Sequence, residues 1–218
     1  MGFGFTRPTG SLHADSGLFM ERSLEEAFAD PKHEVLYNPL TPDYHDLKAW
    51  IYSDRCLWTR QGYVGLTDER QMHYNDLQLF SHNFIPRIEV RNDPQPDDPP
   101  ISERREQCEL VLNQIANENG FDADWYRCNA NLTQVSKASR SVVHRDHEFP
   151  HWNLIIYLSE FNGGRTYVDN EPCPDPKENM IVTFEGREMR HWHEPPAGIE
   201  DNRFIIVATY MPRAIDAE

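Results

Sequence analysis

The spacing of apolar and polar positions divides the chain into a first part with helical periodicity and a second part of short β-prone runs. Between Pro42 and Trp58, the apolar residues Leu47, Trp50, Ile51 and Leu57 recur at helical spacing, with Asp43 in the N-cap region, which predicts a helix. A shorter amphipathic piece is expected from Ser23 to Ala29. Residues 91–100, Arg-Asn-Asp-Pro-Gln-Pro-Asp-Asp-Pro-Pro, cannot continue a helix or an internal strand, because each proline removes a donor and fixes φ. They read as an exposed connection. Immediately afterwards Ser102 opens a second helix, whose Cys108, Val111, Leu112 and Ile115 form one apolar stripe and which Gly120 ends. From Trp125 onward β-branched and aromatic residues dominate, with strands expected around Asn131–Val135, Asn153–Leu158, Thr166–Val168, Met180–Phe184 and Phe204–Tyr210. Asn162-Gly163-Gly164 marks a tight turn between two of them.

A length of 218 residues is enough to bury one good core, so a single domain over 1–218 is expected, with 1–120 as helical or irregular support and 121–212 as the β-rich core. Hydrophobic residues at 39% and aromatics at 11% are sufficient for the chain to fold alone. The formal charge of −15 disfavours nucleic acid and anionic lipid as bulk partners, and no run of five basic residues offsets it. Cys56, Cys108, Cys128 and Cys173 show no Cys-x-x-Cys spacing and read as free thiols. The N-terminus lacks a charged segment followed by an apolar core, and no stretch approaches 18 apolar residues, so a cytoplasmic location with no membrane contact is expected.

The candidate chemistry lies in the β-rich part. In His144-Arg145-Asp146 a His and a carboxylate two positions apart on extended backbone face the same way, so both could ligate one metal. His193 completes a set of two His and one carboxylate, the donor set that binds Fe(II) on one face and leaves positions open. Arg203 follows ten residues after His193, across the turn-forming stretch 195–202, which suggests that the two stand on neighbouring strands.

These features resemble, in one order, the Fe(II)/2-oxoglutarate-dependent oxygenase superfamily and within it the prolyl-4-hydroxylase-like branch. His144-Arg145-Asp146 matches the metal-binding His-x-Asp, Leu154-Ile155-Ile156-Tyr157-Leu158 the following strand, and Asn162-Gly163-Gly164-Arg165-Thr166 the Gly-Gly-x-Thr turn. His193-Glu194-Pro195-Pro196 and Arg203 match the distal His and the basic residue for the far carboxylate. Two departures stand out: Arg203 where that branch usually has Lys, and Ser141 where a Tyr often precedes the His-x-Asp. The resemblance implies a double-stranded β-helix, a jelly-roll of two antiparallel sheets supported by helices, with Arg203, Ile205, Val207 and Thr209 facing the interior. It also implies Fe(II) on His144, Asp146 and His193, 2-oxoglutarate on Arg203, O₂ as oxidant, and a dioxygenase hydroxylating a C–H bond of a peptidyl residue, amino acid or small metabolite with release of succinate and CO₂.

His191 also faces the side of His193, and the family's ten-residue step to Arg203 selects His193. His147 and His151 read as polar rim or substrate contacts, and Trp125, Trp152 and Trp192 as core or pocket wall. The stretch Leu57–Phe84 is the expected substrate wall. The competing readings are a cupin-like module that binds metal or ligand without turnover, and a zinc hydrolase using the same ligands.

Overall fold

The computed structural model describes residues 32–61, 77–92 and 101–213. The expected helix at 23–29, part of the 57–84 wall and most of the proline-rich connection lie outside them. The element order is β1 (Glu34–Leu36), α1 (Pro42–Ile51), β2 (Thr59–Arg60), β3 (Leu79–Ile85), α2 (Ile88–Asn92), α3 (Arg105–Glu118), β4 (Asp122–Gln134), β5 (Trp152–Tyr157), β6 (Thr166–Val168), β7 (Glu171–Pro172), β8 (Ile181–Glu185), β9 (His191–His193) and β10 (Asn202–Arg213). Ten strands and supporting helices make the described residues mainly β. One sheet runs β1-β8-β5-β10-β4-β3-β2 and the other β7-β6-β9, with antiparallel pairing throughout. This is the jelly-roll expected from the sequence.

Thr41 caps α1 by accepting Tyr44 N–H on Oγ1 at 3.2 Å, and Pro42 occupies the first turn, where a missing donor costs nothing. The helix is shorter than the expected 42–58. Ser53 Oγ donates to Trp50 O at 2.7 Å, closing the last turn on a side chain, and Leu57 beyond it is 74% exposed. In α3, Cys108, Val111, Leu112, Ile115 and Ala116 are buried, and Gly120 follows the helix at φ +78°.

Strict alternation in β10 divides the core in two. Phe204, Ile206, Ala208 and Tyr210 pack toward α1 and α3 with Leu47, Trp50, Leu112 and Ile115. Ile205 and Val207 face the other way and join Ile155, Tyr157, Val182 and Phe184. Arg203 and Thr209 share that second, inward face as expected and are buried.

Two strand expectations change. Residues 79–85 fall in the part read as helical support, yet they form β3 and pair with β4. β9 and β10 are not neighbours: β9 lies in the small sheet and β10 in the large one, so His193 and Arg203 approach across the interior. Asn162-Gly163-Gly164 is a bend rather than a tight turn between paired strands: Gly163 bridges Pro196, Ala197 N–H donates to Asn162 O at 2.8 Å, and the segment carries the chain from the large sheet to the small one. None of the described helices is long and apolar enough to cross a membrane.

Candidate metal and co-substrate site

His144 and His191 face each other in an antiparallel bridge, His144 N–H donating to His191 O at 3.1 Å and His191 N–H to His144 O at 3.0 Å. Their ring centroids are 4.3 Å apart. With Asp146 they form a buried group whose potential ligand atoms all lie within 4.8 Å of one another, the group of this kind found among the described residues. His193, the third ligand expected from the sequence, is not a member, and His191 stands in its stead. The reason is register: the bridge sets His191 opposite His144, whereas His193 lies one pleat further along, beside Ser141, whose N–H donates to His193 O at 2.7 Å.

The potential ligand atoms are held in defined protonation states. His144 Nδ1 donates to Val142 O at 2.8 Å, so the proton is on Nδ1 and the Nε2 lone pair is free to ligate. Burial, and after it the neighbouring His144 ring, push the His191 pKa down to about 3, so His191 is neutral near pH 7. Burial alone would raise the Asp146 pKa, but Arg127, His191, His144 and Arg87 overcome it and hold the carboxyl well below the ordinary range. Oδ1 of Asp146 is occupied by Arg127 Nη1 and, at 3.5 Å, by Arg87 Nη2. Oδ2 is buried with no hydrogen-bond partner and lies 3.5 Å from His191 Nε2. A buried carboxylate oxygen in that state is costly unless something cationic meets it.

A second unsatisfied group lies deeper. Arg203 is 1% exposed, and its hydrogen bonds go to neutral acceptors: Nε to Gly164 O at 2.9 Å and Nη2 to Thr166 Oγ1 at 3.0 Å. Nη1 has no partner. The Tyr157 hydroxyl lies 2.9 Å from Thr166 Oγ1, and the Arg203 guanidinium lies 5.6 Å from the Tyr157 ring centroid. A buried guanidinium with a free donor and no carboxylate at hand carries an uncompensated charge. His193 Nε2 is 3.5 Å from Thr133 Oγ1, and Thr133 is the cross-strand partner of Arg203. Burial and then the Arg203 charge lower the His193 pKa well below the usual value.

Gly164 adjoins this guanidinium. Its φ is +65°, and a Cβ there would come within 2.6 Å of Phe161 Cε2 and 3.2 Å of Arg203 Cδ. Gly164→Ala is therefore expected to destabilise the fold by about 1–3 kcal/mol and to displace Arg203, which thermal unfolding and keto-acid titration would check.

A polar wall beside the metal group comes from β4 and β3, with Arg127 of β4 meeting Asp146. Pairing sets Arg127, Asn129, Asn131 and Thr133 beside the inward residues Thr209, Val207, Ile205 and Arg203, and sets Asn83 and Ser81 beside Asn129 and Asn131. Ser81 Oγ donates to Asn131 Oδ1 at 2.7 Å, while Oδ1 of both Asn83 and Asn129 is buried without a partner.

His147 and His151 are buried rather than at a rim: His147 Nε2 lies 2.9 Å from Thr209 Oγ1, and its ring stacks on Phe149 at 4.5 Å. Trp192 stacks on Tyr167 with 3.9 Å between centroids, and Trp125 and Trp152 pack against the helix-side core. Arg127, Arg87 and the Tyr157–Thr166 pair are the site residues that sequence reasoning did not single out. A Tyr directly before the end of an apolar strand run was the available signal for Tyr157.

No protein-family model matches the sequence, and no curated protein matches it. Solved structures do. An oxidoreductase of the 2OG-Fe(II) oxygenase family from Burkholderia pseudomallei is similar with a TM-score of 0.55 and 14% identity, over 87% of this chain and 91% of that one. A Trichoplax adhaerens prolyl hydroxylase, solved with a peptide fragment of the hypoxia inducible factor oxygen degradation domain, gives 0.51 and 13% over 83% of each chain. The α-ketoglutarate-dependent carbocyclase SnoK from nogalamycin biosynthesis gives 0.51 and 12% over 88% of this chain and 84% of that one. The likeness is one of fold: the chain has the double-stranded β-helix of these oxygenases, in agreement with the resemblance read from its motifs.

Proposed function

We propose that the protein is an Fe(II)- and 2-oxoglutarate-dependent dioxygenase in which His144, Asp146 and His191 hold the metal and Arg203 holds the co-substrate. The observation that carries this reading is the pair of complementary vacant valences in one interior: an unpartnered Asp146 Oδ2 within the metal group and an unpartnered Arg203 Nη1 deeper in the fold. A metal cation would meet the first, and one carboxylate of a keto diacid chelated to that metal would meet the second. Two imidazoles and one carboxylate oxygen fit Fe(II) and leave positions open. When bound, Fe(II) with 2-oxoglutarate and O₂ supplies oxidative decarboxylation to succinate and CO₂ coupled to oxidation of a substrate C–H bond.

The chain's own residues then have distinct tasks. His144 is oriented by Val142 O, and Arg127 and Arg87 retain Oδ1 of Asp146 so that Oδ2 faces the cation. Arg203, aligned by Gly164 O and Thr166, receives the remote carboxylate through Nη1, with the Tyr157 hydroxyl beside it. Burial keeps these contacts dry and strengthens them. A hydrolytic zinc centre would have no use for a buried guanidinium in this position.

The amide-rich wall supports an uncharged polar primary substrate. Asn83 and Asn129 offer unpartnered amide oxygens, while Arg87 and Arg127 are engaged with Asp146. The test of the reading is optical and chemical. Anaerobic protein titrated with Fe(II) and 2-oxoglutarate should develop the visible metal-to-keto-acid absorption band, and under air it should release succinate. Metal-loaded protein that gives neither would overturn the proposal.

A further inference from the structure

Resting on the oxygenase reading, we propose that His193 is a co-substrate-binding residue, its imidazole N–H donating to the carboxylate of 2-oxoglutarate that Arg203 also grips. Two opposed constraints fix its orientation. Trp192 lies flat against Tyr167, 3.9 Å between centroids and 5° between planes, with the Arg140 guanidinium 5.2 Å from its ring centroid on the outer side of the small sheet. Strand alternation then turns both His191 and His193 inward. The backbone is held as well, His193 N–H donating to Ser141 Oγ at 2.9 Å and Ser141 N–H to His193 O at 2.7 Å.

Along the inner face the two imidazoles stand one pleat apart, about 6.6 Å for two strand residues. His191 is at the metal group, opposite His144 and Val168, and His193 is opposite Thr166, whose hydroxyl accepts from Arg203. Across the interior His193 Nε2 has Thr133 Oγ1 at 3.5 Å, and Thr133 is the strand neighbour of Arg203. His193 thus stands one pleat from His191 along β9 and against Thr166 and Thr133, the residues that adjoin Arg203. The contact to Thr133 is at the limit of a hydrogen bond, which leaves the ring free to serve a better acceptor. A carboxylate on Arg203 provides one.

The experiment is an anaerobic titration of Fe(II)-loaded protein, read on the visible band, with 2-oxoglutarate and with 2-oxopentanoate, which has the same chelating end and no remote carboxylate. His193→Leu fills the volume without a donor, and His193→Gln retains an N–H. Expected results are unchanged Fe(II) binding in both variants, at least tenfold weaker 2-oxoglutarate binding in His193→Leu, a loss within threefold in His193→Gln, and no loss for 2-oxopentanoate. Three results would overturn the role. Loss of Fe(II) in both variants would make His193 a metal ligand, equal loss for both keto acids would make it structural, and wild-type 2-oxoglutarate affinity in His193→Leu would leave it no part. Absence of the band from the wild-type protein would instead sink the oxygenase reading itself.

Discussion

His191→Ala should abolish Fe(II) binding and turnover, while His193→Ala should retain the metal. The argument is geometric. Ligand atoms of His144, Asp146 and His191 already lie within 4.8 Å of one another, and the His144–His191 bridge holds two of the three on paired backbone. Removing one of three protein ligands leaves a bidentate site, too weak to retain a labile divalent ion. The cost should exceed the 10–100-fold typical of losing a supporting contact to a ligand. Isothermal titration of the two variants with Fe(II) under argon is the measurement. Iron retained by His191→Ala but lost by His193→Ala would restore the ligand set expected from the sequence.

That expectation illustrates what a sequence can and cannot carry. The pair His144 and Asp146 was legible because both constraints are local: two residues apart, one face. Arg203 came from the ten-residue step after His193 and the family resemblance, and the structure places it buried on the inward face of β10 with Ile205 and Val207. The choice between His191 and His193 is not local. Both satisfy alternation equally, and the number of residues to Arg203 does not measure distance, because β9 and β10 lie in different sheets joined by residues 194–201. The bridge to His144 and the pairing with β6 set the register, and pairing partners are invisible in one sequence.

The polar wall of β4 was hidden for another reason. In β4 the apolar residues Cys128, Ala130 and Leu132 alternate with Arg127, Asn129, Asn131 and Thr133, which reads as a strand with a solvated face. Here the polar face is the inward one, because it lines the site, and the apolar face meets the helices. The engagement of Arg127 with Asp146 depends on that inversion together with the β4–β10 pairing. Polarity at inward positions is where a functional interior departs from the ordinary burial pattern.

Arg203→Met should separate function from stability. The guanidinium is fully buried, its partners are neutral, and one donor is unsatisfied, so in the absence of co-substrate it sits in the fold at a desolvation cost. A methionine retains much of the apolar stem between Phe161, Tyr157 and Gly164 and removes that cost. Ligand-free Arg203→Met is therefore expected to unfold at the same temperature as the wild type or slightly above it. The bound state should behave oppositely. A charge-assisted contact to a carboxylate in a dry site is worth roughly 2 to 5 kcal/mol when one partner is truncated, or about 30-fold to several thousand-fold in 2-oxoglutarate affinity. Fe(II) binding should be unaffected, because Arg203 contributes no atom to the metal group. In thermal unfolding with saturating metal, 2-oxoglutarate should raise the midpoint of the wild type and leave that of Arg203→Met unchanged, since stabilisation follows ligand concentration over Kd. Arg203→Lys should fall between the two, keeping the charge but losing the planar fork aligned by Gly164 O and Thr166. An Arg203→Met protein that binds 2-oxoglutarate with wild-type affinity would move the anion receptor elsewhere in the interior.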